Sequence, residues 1–123
     1  MLKLIEMDDS VTLQQQMMTE DEGPVILINQ FRVKPSEADQ LIDAWAHDAA
    51  FLKQQPGYIS AQLHRGIGGS SVFINVAVWQ SVADFRQAFS QPEFGNSLEA
   101  YPPSTIASPH LFHKIALPNI CVG

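Results

Sequence analysis

Residues 56–89 read PGYISAQLHRGIGGSSVFINVAVWQSVADFRQAF, and the order of patterns in this stretch decides the fold class. Residues 58–65 and 72–80 are predicted strands, and the glycine-rich turn GIGGSS between them indicates a β-hairpin. Ser81, with Asp84 three positions later, begins a predicted helix because this spacing suits an N-terminal cap. The stretch therefore contributes two antiparallel strands followed by a helix.

The residues on either side extend this pattern. Residues 25–33 predict a first strand because they are rich in β-branched and aromatic side chains. Ser36 begins a predicted helix, and a last strand is expected at 111–117. The apolar stripe of that helix consists of Ala38, Leu41, Ile42, Trp45, Ala49 and Leu52. The order β-α-β-β-α-β predicts an α+β fold, a ferredoxin-like subunit with a four-stranded antiparallel sheet and helices on one face.

Composition excludes several classes of protein. The 123 residues are the size of one domain, and 46% hydrophobic side chains exclude a disordered chain. Thirteen acids against seven bases give a net charge of −6, which disfavours nucleic acid and anionic membranes as partners. No apolar stretch approaches the ~20 residues that span a bilayer, and the acidic start does not resemble a secretory signal, so we expect a cytoplasmic protein. Cys121 is the single cysteine, so neither an internal disulfide nor a zinc knuckle is expected.

The acidic residues are concentrated at the start of the chain. Residues 1–23 hold six acids and one base, a net charge of −5. We therefore divide the chain into an acidic N-terminal extension at 1–23, a domain at 24–118 and a short tail at 119–123. Ser10 is a candidate cap for a short helix in the extension. A solvated arm is the first expectation, and apolar side chains leave open an arm that packs on a neighbouring subunit: Leu2, Leu4, Ile5, Met17 and Met18.

Side chains alternate between the two faces of the sheet. The uniformly β-branched face is predicted to pack under the helices: Val72, Ile74, Val76 and Val78. The other face is also apolar: Phe73, Asn75, Ala77 and Trp79, with Leu27, Asn29 and Phe31 of the first strand in phase. Because large apolar surfaces mark interaction sites, we predict a homodimer with the sheets face to face. The cavity is then expected to be complete only where two copies meet.

Three polar residues on that second face are candidates for a site. Asn75 and Trp79 are four positions apart on one strand, so both point the same way about 13 Å apart. Asn29 is in phase with them on the first strand. A buried amide without a partner costs about 1 to 3 kcal/mol. These amides therefore either bond each other and the backbone or line a pocket that awaits a ligand.

The stretch 56–89 resembles the antibiotic biosynthesis monooxygenase family. The motifs that carry the resemblance are Pro-Gly-aromatic at 56–58, a His at 64, Asn-x-x-x-Trp-x-Ser at 75–81 and aromatic-Arg at 85–86. The resemblance covers roughly residues 24–118 and implies a dimeric α+β barrel. Its best-understood members use no metal, flavin or haem, and they oxidise aromatic polyphenols to quinones with O2. It therefore implies a small aromatic ligand and O2 as partners, and no cofactor.

The resemblance also implies roles for particular residues. Asn75 would donate a hydrogen bond to the substrate oxyanion, and Trp79 would stack on or orient the ring. His64 is the candidate proton acceptor if its side chain faces the pocket, where alternation groups it with Tyr58. The candidate substrate-binding residues are Asn29, Phe31, Phe73, Phe85 and Tyr58.

The chain also departs from the family, which leaves alternatives open. Phe85 stands where quinone-forming members carry a Tyr, and no Arg follows Arg86. A non-catalytic small-molecule-binding or stress-related barrel is therefore the alternative function. A haem-degrading monooxygenase is less favoured because Ala88 and Leu98 stand where that branch has a Trp and a haem-ligating His. His110 and His113 are expected to point to opposite faces, so no metal site is expected.

Overall fold

The computed structural model describes residues 1–123. In chain order it contains β1 (Lys3–Leu4), α1 (Leu13–Met17), β2 (Val25–Arg32), α2 (Ala38–Leu52), β3 (Tyr58–Arg65), β4 (Val72–Trp79), α3 (Val82–Phe89), α4 (Pro92–Ser97) and β5 (Ile106–Phe112). The strands form one sheet in the order β1-β5-β2-β4-β3, in which β1 is parallel to β5 and the other pairs are antiparallel. The α+β, ferredoxin-like fold is confirmed, with one short additional strand.

The last strand begins earlier than the sequence suggested. β5 spans Ile106–Phe112 rather than 111–117, and Pro109 lies within it. A proline cannot donate to a ladder and is confined to edge strands. Here β1 pairs only with Ile106 and Ala107, so the outer edge of β5 is open at Pro109. That is why a proline is accommodated within this strand.

The helices cover the opposite face of the sheet from the one predicted. On β4 the buried residues are Phe73, Asn75, Ala77 and Trp79. Phe73 packs with residues of α2, and Ala77 and Trp79 belong to a core cluster with residues of α3. The β-branched residues Val72, Ile74, Val76 and Val78 lie on the uncovered face and are half-buried. The prediction was wrong because Phe73 and Trp79 fill the space between helices and sheet, whereas short branched side chains make a flat outer surface. The space beside Asn75 therefore lies inside one chain.

The start of α3 is held against the start of β3. Gly57 has φ +86°, and a Cβ atom there would lie 2.3 Å from the Asp84 side chain, so only glycine fits. The Ser81 hydroxyl accepts a hydrogen bond from the Asp84 backbone N–H at 3.1 Å, which confirms the predicted helix cap. These contacts fix the direction of α3 as it leaves β4, and they bring Phe85 behind Trp79.

The N-terminal segment packs on its own chain. β1 pairs with β5, and Leu13 and Met17 of α1 pack on the core beneath α3. Thr12, rather than Ser10, caps α1, and it forms a capping box with Gln15. The expectation of a solvated arm is therefore wrong for the part of the segment that forms β1 and α1. None of the helices is long and apolar enough to cross a membrane.

Candidate active site

A cavity of about 190 Å³ lies between the covered face of the sheet and the helices. Most of the side chains that line it are hydrophobic, and the polar ones are Asn29, Asp48 and Asn75. Trp79 and Tyr101 also reach it, each with one polar atom on an aromatic ring. An apolar cavity with a few convergent polar groups is the usual form of a small-molecule site.

Four polar atoms of the cavity lining are buried without a hydrogen-bond partner. They are Asn29 Oδ1, Asp48 Oδ2, Asn75 Oδ1 and Trp79 Nε1. A buried polar group that neither water nor a ligand satisfies costs about 1 to 3 kcal/mol. Native proteins leave few buried polar groups unpaired, so four on one cavity indicate a site built for a ligand.

The two asparagines are placed together by the register of the sheet. Asn29 on β2 lies directly opposite Asn75 on β4, and both project toward the helices. Directly opposed residues have Cβ atoms about 4.5 to 5.5 Å apart, so both amides can reach one ligand oxygen. An amide presents either a donor or an acceptor according to its rotation. The prediction that these amides share a face holds, although the face is the covered one.

Aromatic rings hold the Trp79 indole in place. Tyr58, Phe85 and Phe89 meet it edge to face with centroids 5.6, 6.1 and 6.2 Å away. Trp79 is only 1% exposed, and its indole N–H is buried without a hydrogen-bond partner. Among the predicted substrate-binding residues, Asn29, Phe31 and Tyr58 line the cavity.

Two predicted substrate-binding residues lie in the core instead. Phe85 is fully buried behind Trp79, and Phe73 is 1% exposed beneath α2. Neither of them lines the cavity. Phe73 shares a sheet face with Asn75 as predicted, but packing between the helices and the sheet buries both phenylalanines.

His64 does not face the cavity. It is exposed on the uncovered face of the sheet, and its Nδ1 lies 3.2 Å from the Ile74 carbonyl oxygen. The cause is a shift in register between Tyr58 and Ser60, where an irregularity interrupts the alternation. Tyr58 therefore points into the cavity while His64 points away from it. The condition for His64 as the proton acceptor is not met.

Asp48 is the titratable residue that sequence reasoning missed. It lies on α2 and is 4% exposed, and the Ser97 hydroxyl donates a hydrogen bond to its Oδ1. Burial raises the pKa of Asp48, because a low-dielectric site disfavours the carboxylate, while Ser97, Tyr101 and His47 lower it less. Oδ2 is buried and has no donor in hydrogen-bond geometry, and Asp48 is one of the residues that line the cavity. The available signal was spacing: Asp48 lies seven positions after Leu41 and four after Ala44, so it shares their buried side of α2.

Tyr101 shares the site with Asp48. Its ring stacks on Phe31 at a centroid distance of 5.8 Å, and it is 4% exposed. Burial, followed by the charge and hydrogen bonding of Asp48, raises the pKa of Tyr101 far above its ordinary value. The phenol therefore stays protonated, and Asp48 is the only carboxyl group in the cavity lining.

Residues 24–100 match the model of the family described as antibiotic biosynthesis monooxygenase. The chain belongs to this family. It is 34% identical over 74 residues to deoxynogalonate monooxygenase of Streptomyces nogalater, a match that covers 60% of this chain and 62% of the relative. It is also 34% identical over 67 residues to tetracenomycin-F1 monooxygenase of Streptomyces glaucescens, covering 54% and 59%. The aligned part of the chain thus spans about three fifths of the length of both relatives.

Solved structures of the family share the fold. The crystal structure of SnoaB, a cofactor-independent oxygenase from Streptomyces nogalater, matches with a TM-score of 0.68 and 28% identity over 79% of this chain and 98% of that one. A structure from Shewanella loihica PV-4 matches with a TM-score of 0.67 and 35% identity over 80% and 99%. The antibiotic biosynthesis monooxygenase fold therefore occupies about four fifths of this chain.

Proposed function

We propose that this chain is a cofactor-independent monooxygenase that oxidises a small phenolic compound with O2 in the cavity of each subunit. The observation that carries the proposal is the convergence of four unpartnered polar atoms on a mainly apolar cavity. An aromatic ring fits the apolar lining, and a phenolic hydroxyl can donate its proton to one of the unpartnered oxygens and accept a hydrogen bond from the Trp79 indole N–H. Similarity to the cofactor-independent oxygenase SnoaB supports the same chemistry.

Asp48 takes the role of proton acceptor in this proposal. Its free Oδ2 removes the phenolic proton, and the raised pKa brings its basicity closer to that of the phenol. The phenolate oxygen then accepts hydrogen bonds from the Asn75 amide and the Trp79 indole N–H. Donors held rigidly in a site without water stabilise this negative charge more strongly than water-exposed donors.

The substrate supplies the electrons for the reaction. The phenolate passes one electron to O2, and the resulting phenoxyl radical and superoxide combine at a ring carbon that carries hydrogen. The peroxide formed takes back the proton from Asp48. Loss of the ring hydrogen as a proton, with cleavage of the O–O bond, gives a quinone and one water molecule. One oxygen atom enters the product, the other enters water, and Asp48 returns to its carboxylate form.

Oxygen uptake with 1-naphthol tests the proposal. We expect uptake of one O2 per molecule and one labelled oxygen in the quinone when 18O2 is supplied. Asn75→Ala should lower kcat/KM at least on the order of 100-fold, as loss of an oxyanion donor does. Asn96→Ala, which removes an exposed asparagine of α4, is the matched control and should leave the rate unchanged. Binding of 1-naphthol without oxygen uptake would instead indicate the non-catalytic binding protein.

We also propose that the uncovered face of the sheet joins two copies of the chain. Its centre is apolar and half-buried: Ile26, Ile28, Val72, Ile74, Val76 and Val78. The chain has no further element to cover this surface, and such a patch normally marks an interface. A two-fold dimer with the sheets face to face would bury the same residues in both copies. The cavities then lie on the outer sides of the paired sheets, one in each subunit.

A further inference from the structure

The N-terminal segment, residues 1–22, forms part of the cavity wall. The side chains that it contributes are Leu2, Leu4, Leu13 and Met17. This segment lies before residue 24, where the family match begins. The cavity thus has one wall built from the shared fold and another built from residues outside the family match.

Two backbone hydrogen bonds hold the start of the N-terminal segment against β5. The Lys3 N–H donates to the Thr105 carbonyl oxygen and the Ile5 N–H to the Ala107 carbonyl oxygen, both at 2.9 Å. These bonds place Leu4 beside β5, and Ala107 and Pro109 of that strand line the same cavity. The first residues of the chain therefore sit at a fixed position along the cavity.

The helix α1 is fastened by side chains. The Gln16 amide donates to the Leu111 carbonyl oxygen and accepts from the Leu111 N–H, each at 2.9 Å. Arg86 of α3 donates to the carbonyl oxygen of Met17. Contacts with both β5 and α3 hold the helix so that Leu13 and Met17 point inward while Met18, 64% exposed, points out.

The position of this wall limits the size of the cavity. Its volume is about 190 Å³, whereas an apolar cavity of about 150 Å³ takes a single benzene ring. A ligand much larger than two fused rings would need part of the space that the lining side chains occupy, Leu13 and Met17 among them. Because both side chains belong to a short helix on the protein surface, shortening them enlarges the cavity without altering the sheet.

We propose that residues 1–22 determine substrate size, with Leu13 and Met17 restricting the cavity to phenols of one or two fused rings. The proposal deepens the function proposed above and rests on it only for turnover, since the size limit is measurable by binding alone. The probes are 1-naphthol, which has two rings, and 1-anthrol, which has three. Affinity is measured by isothermal titration calorimetry under nitrogen, and oxygen uptake is measured separately.

The full-length chain should bind 1-naphthol more tightly than 1-anthrol. Met17→Ala should shift the ratio of the two dissociation constants toward 1-anthrol on the order of tenfold, since pocket size discriminates by about that factor. Met18→Ala changes the same residue type at the neighbouring outward position and should leave the ratio unchanged. The proposal would be overturned if Met17→Ala and Met18→Ala gave the same ratio of dissociation constants. It would also be overturned if the unmodified chain bound neither probe, or bound 1-anthrol more tightly than 1-naphthol.

A second pair of variants keeps the test decisive if Met17→Ala unfolds. Leu13→Trp fills the cavity from the same wall and should abolish binding of 1-naphthol while phenol still binds. Gln14→Trp places the same side chain on the exposed side of α1 and should change neither affinity. Unchanged 1-naphthol affinity in Leu13→Trp would contradict the size limit. Binding that follows these expectations without oxygen uptake would overturn the proposed function and leave the size limit standing.

Discussion

Asn29 and Asn75 lie directly opposite each other on β2 and β4, and the side-chain oxygen of each is buried without a hydrogen-bond partner. A buried amide oxygen weakens the folded state unless water or a ligand supplies its hydrogen bond. The two oxygens therefore favour a bound donor at this position. Stability and ligand binding should respond in opposite directions to changes at these two residues.

Asn75→Leu should raise the free energy of unfolding by about 1 kcal/mol, because an apolar side chain of similar size removes the unpaired amide. The same variant should lose oxidation of 1-naphthol. Urea unfolding measures the first effect and oxygen uptake the second. Asn96→Leu, on the surface of α4, should stay within about 0.5 kcal/mol of the unmodified chain. A destabilised Asn75→Leu would show that the amide is satisfied in the folded chain.

Asp48 should determine the acidic limb of the pH–rate profile, which is the fall in rate at low pH. Because proton transfer requires the carboxylate, kcat/KM should fall as the pH drops through the raised pKa of Asp48. Asp48→Asn should abolish this limb and lower the rate by about 10² to 10⁴-fold. Ser97, Tyr101 and His47 act on the same carboxyl, so Ser97→Ala should move the limb to higher pH by removing a hydrogen bond that lowers the pKa. A limb that persists unchanged in Asp48→Asn would exclude Asp48 as the acceptor.

The same carboxyl should also make stability depend on pH. A pKa raised by folding means that the folded state holds its proton more tightly than the unfolded chain does. Its contribution is fully present below the ordinary pKa of an aspartate and is lost as the pH rises through the raised pKa. Asp48→Asn should therefore flatten the fall in free energy of unfolding over this window. Urea titrations at a series of pH values compare the two chains, and parallel curves would contradict the shift.

Phe85→Ala should be more harmful to stability than Trp45→Ala. Phe85 is fully buried against Trp79, so we expect a loss of about 3 to 5 kcal/mol. Trp45 is half-buried and lines the cavity, which already leaves one side of its ring without contacts, so its loss should be smaller. Thermal unfolding of both variants measures the order. The reverse order would mean that the cavity is closed around Trp45.

Val76→Glu should separate the proposed dimer. Val76 lies at the centre of the uncovered sheet face, and a carboxylate on each copy would be buried and repelled at the two-fold contact. Light scattering should show the mass fall by half. Gln87→Glu adds the same charge to the exposed side of α3 and should leave the mass unchanged. Because the cavity lies within one chain, the Val76→Glu monomer should still bind 1-naphthol.

The sequence predicted most strands and helices well, but it predicted poorly which face of the sheet the helices cover. Alternation grouped Asn29, Asn75 and Trp79 on one face correctly, since strand geometry alone determines which side chains share a face. It assigned the helices to the wrong face, because both faces are apolar and only packing volume distinguishes them. His64 was misplaced by an irregularity after Tyr58 that no residue pattern signals.

Asp48 shows a different limit of sequence reasoning. The apolar stripe predicted for α2 runs through Trp45, Ala49 and Leu52, and the sequence reasoning did not consider Asp48. Its burial depends on Ser97 and Tyr101, which come from a segment about fifty residues further along the chain. Local periodicity contains no information about such a contact.

The bonds between Gln16 and Leu111 also bear on aggregation. An exposed strand edge invites pairing with a strand of another molecule, which leads to fibrous assemblies. On the outer edge of β5, β1 occupies Ile106 and Ala107, Pro109 has no N–H to offer, and Gln16 occupies both backbone groups of Leu111. Gln16 therefore both holds α1 in the cavity wall and blocks the position where a strand of another molecule would pair. Replacing Gln16 should lower the solubility of the chain as well as its selectivity for small phenols.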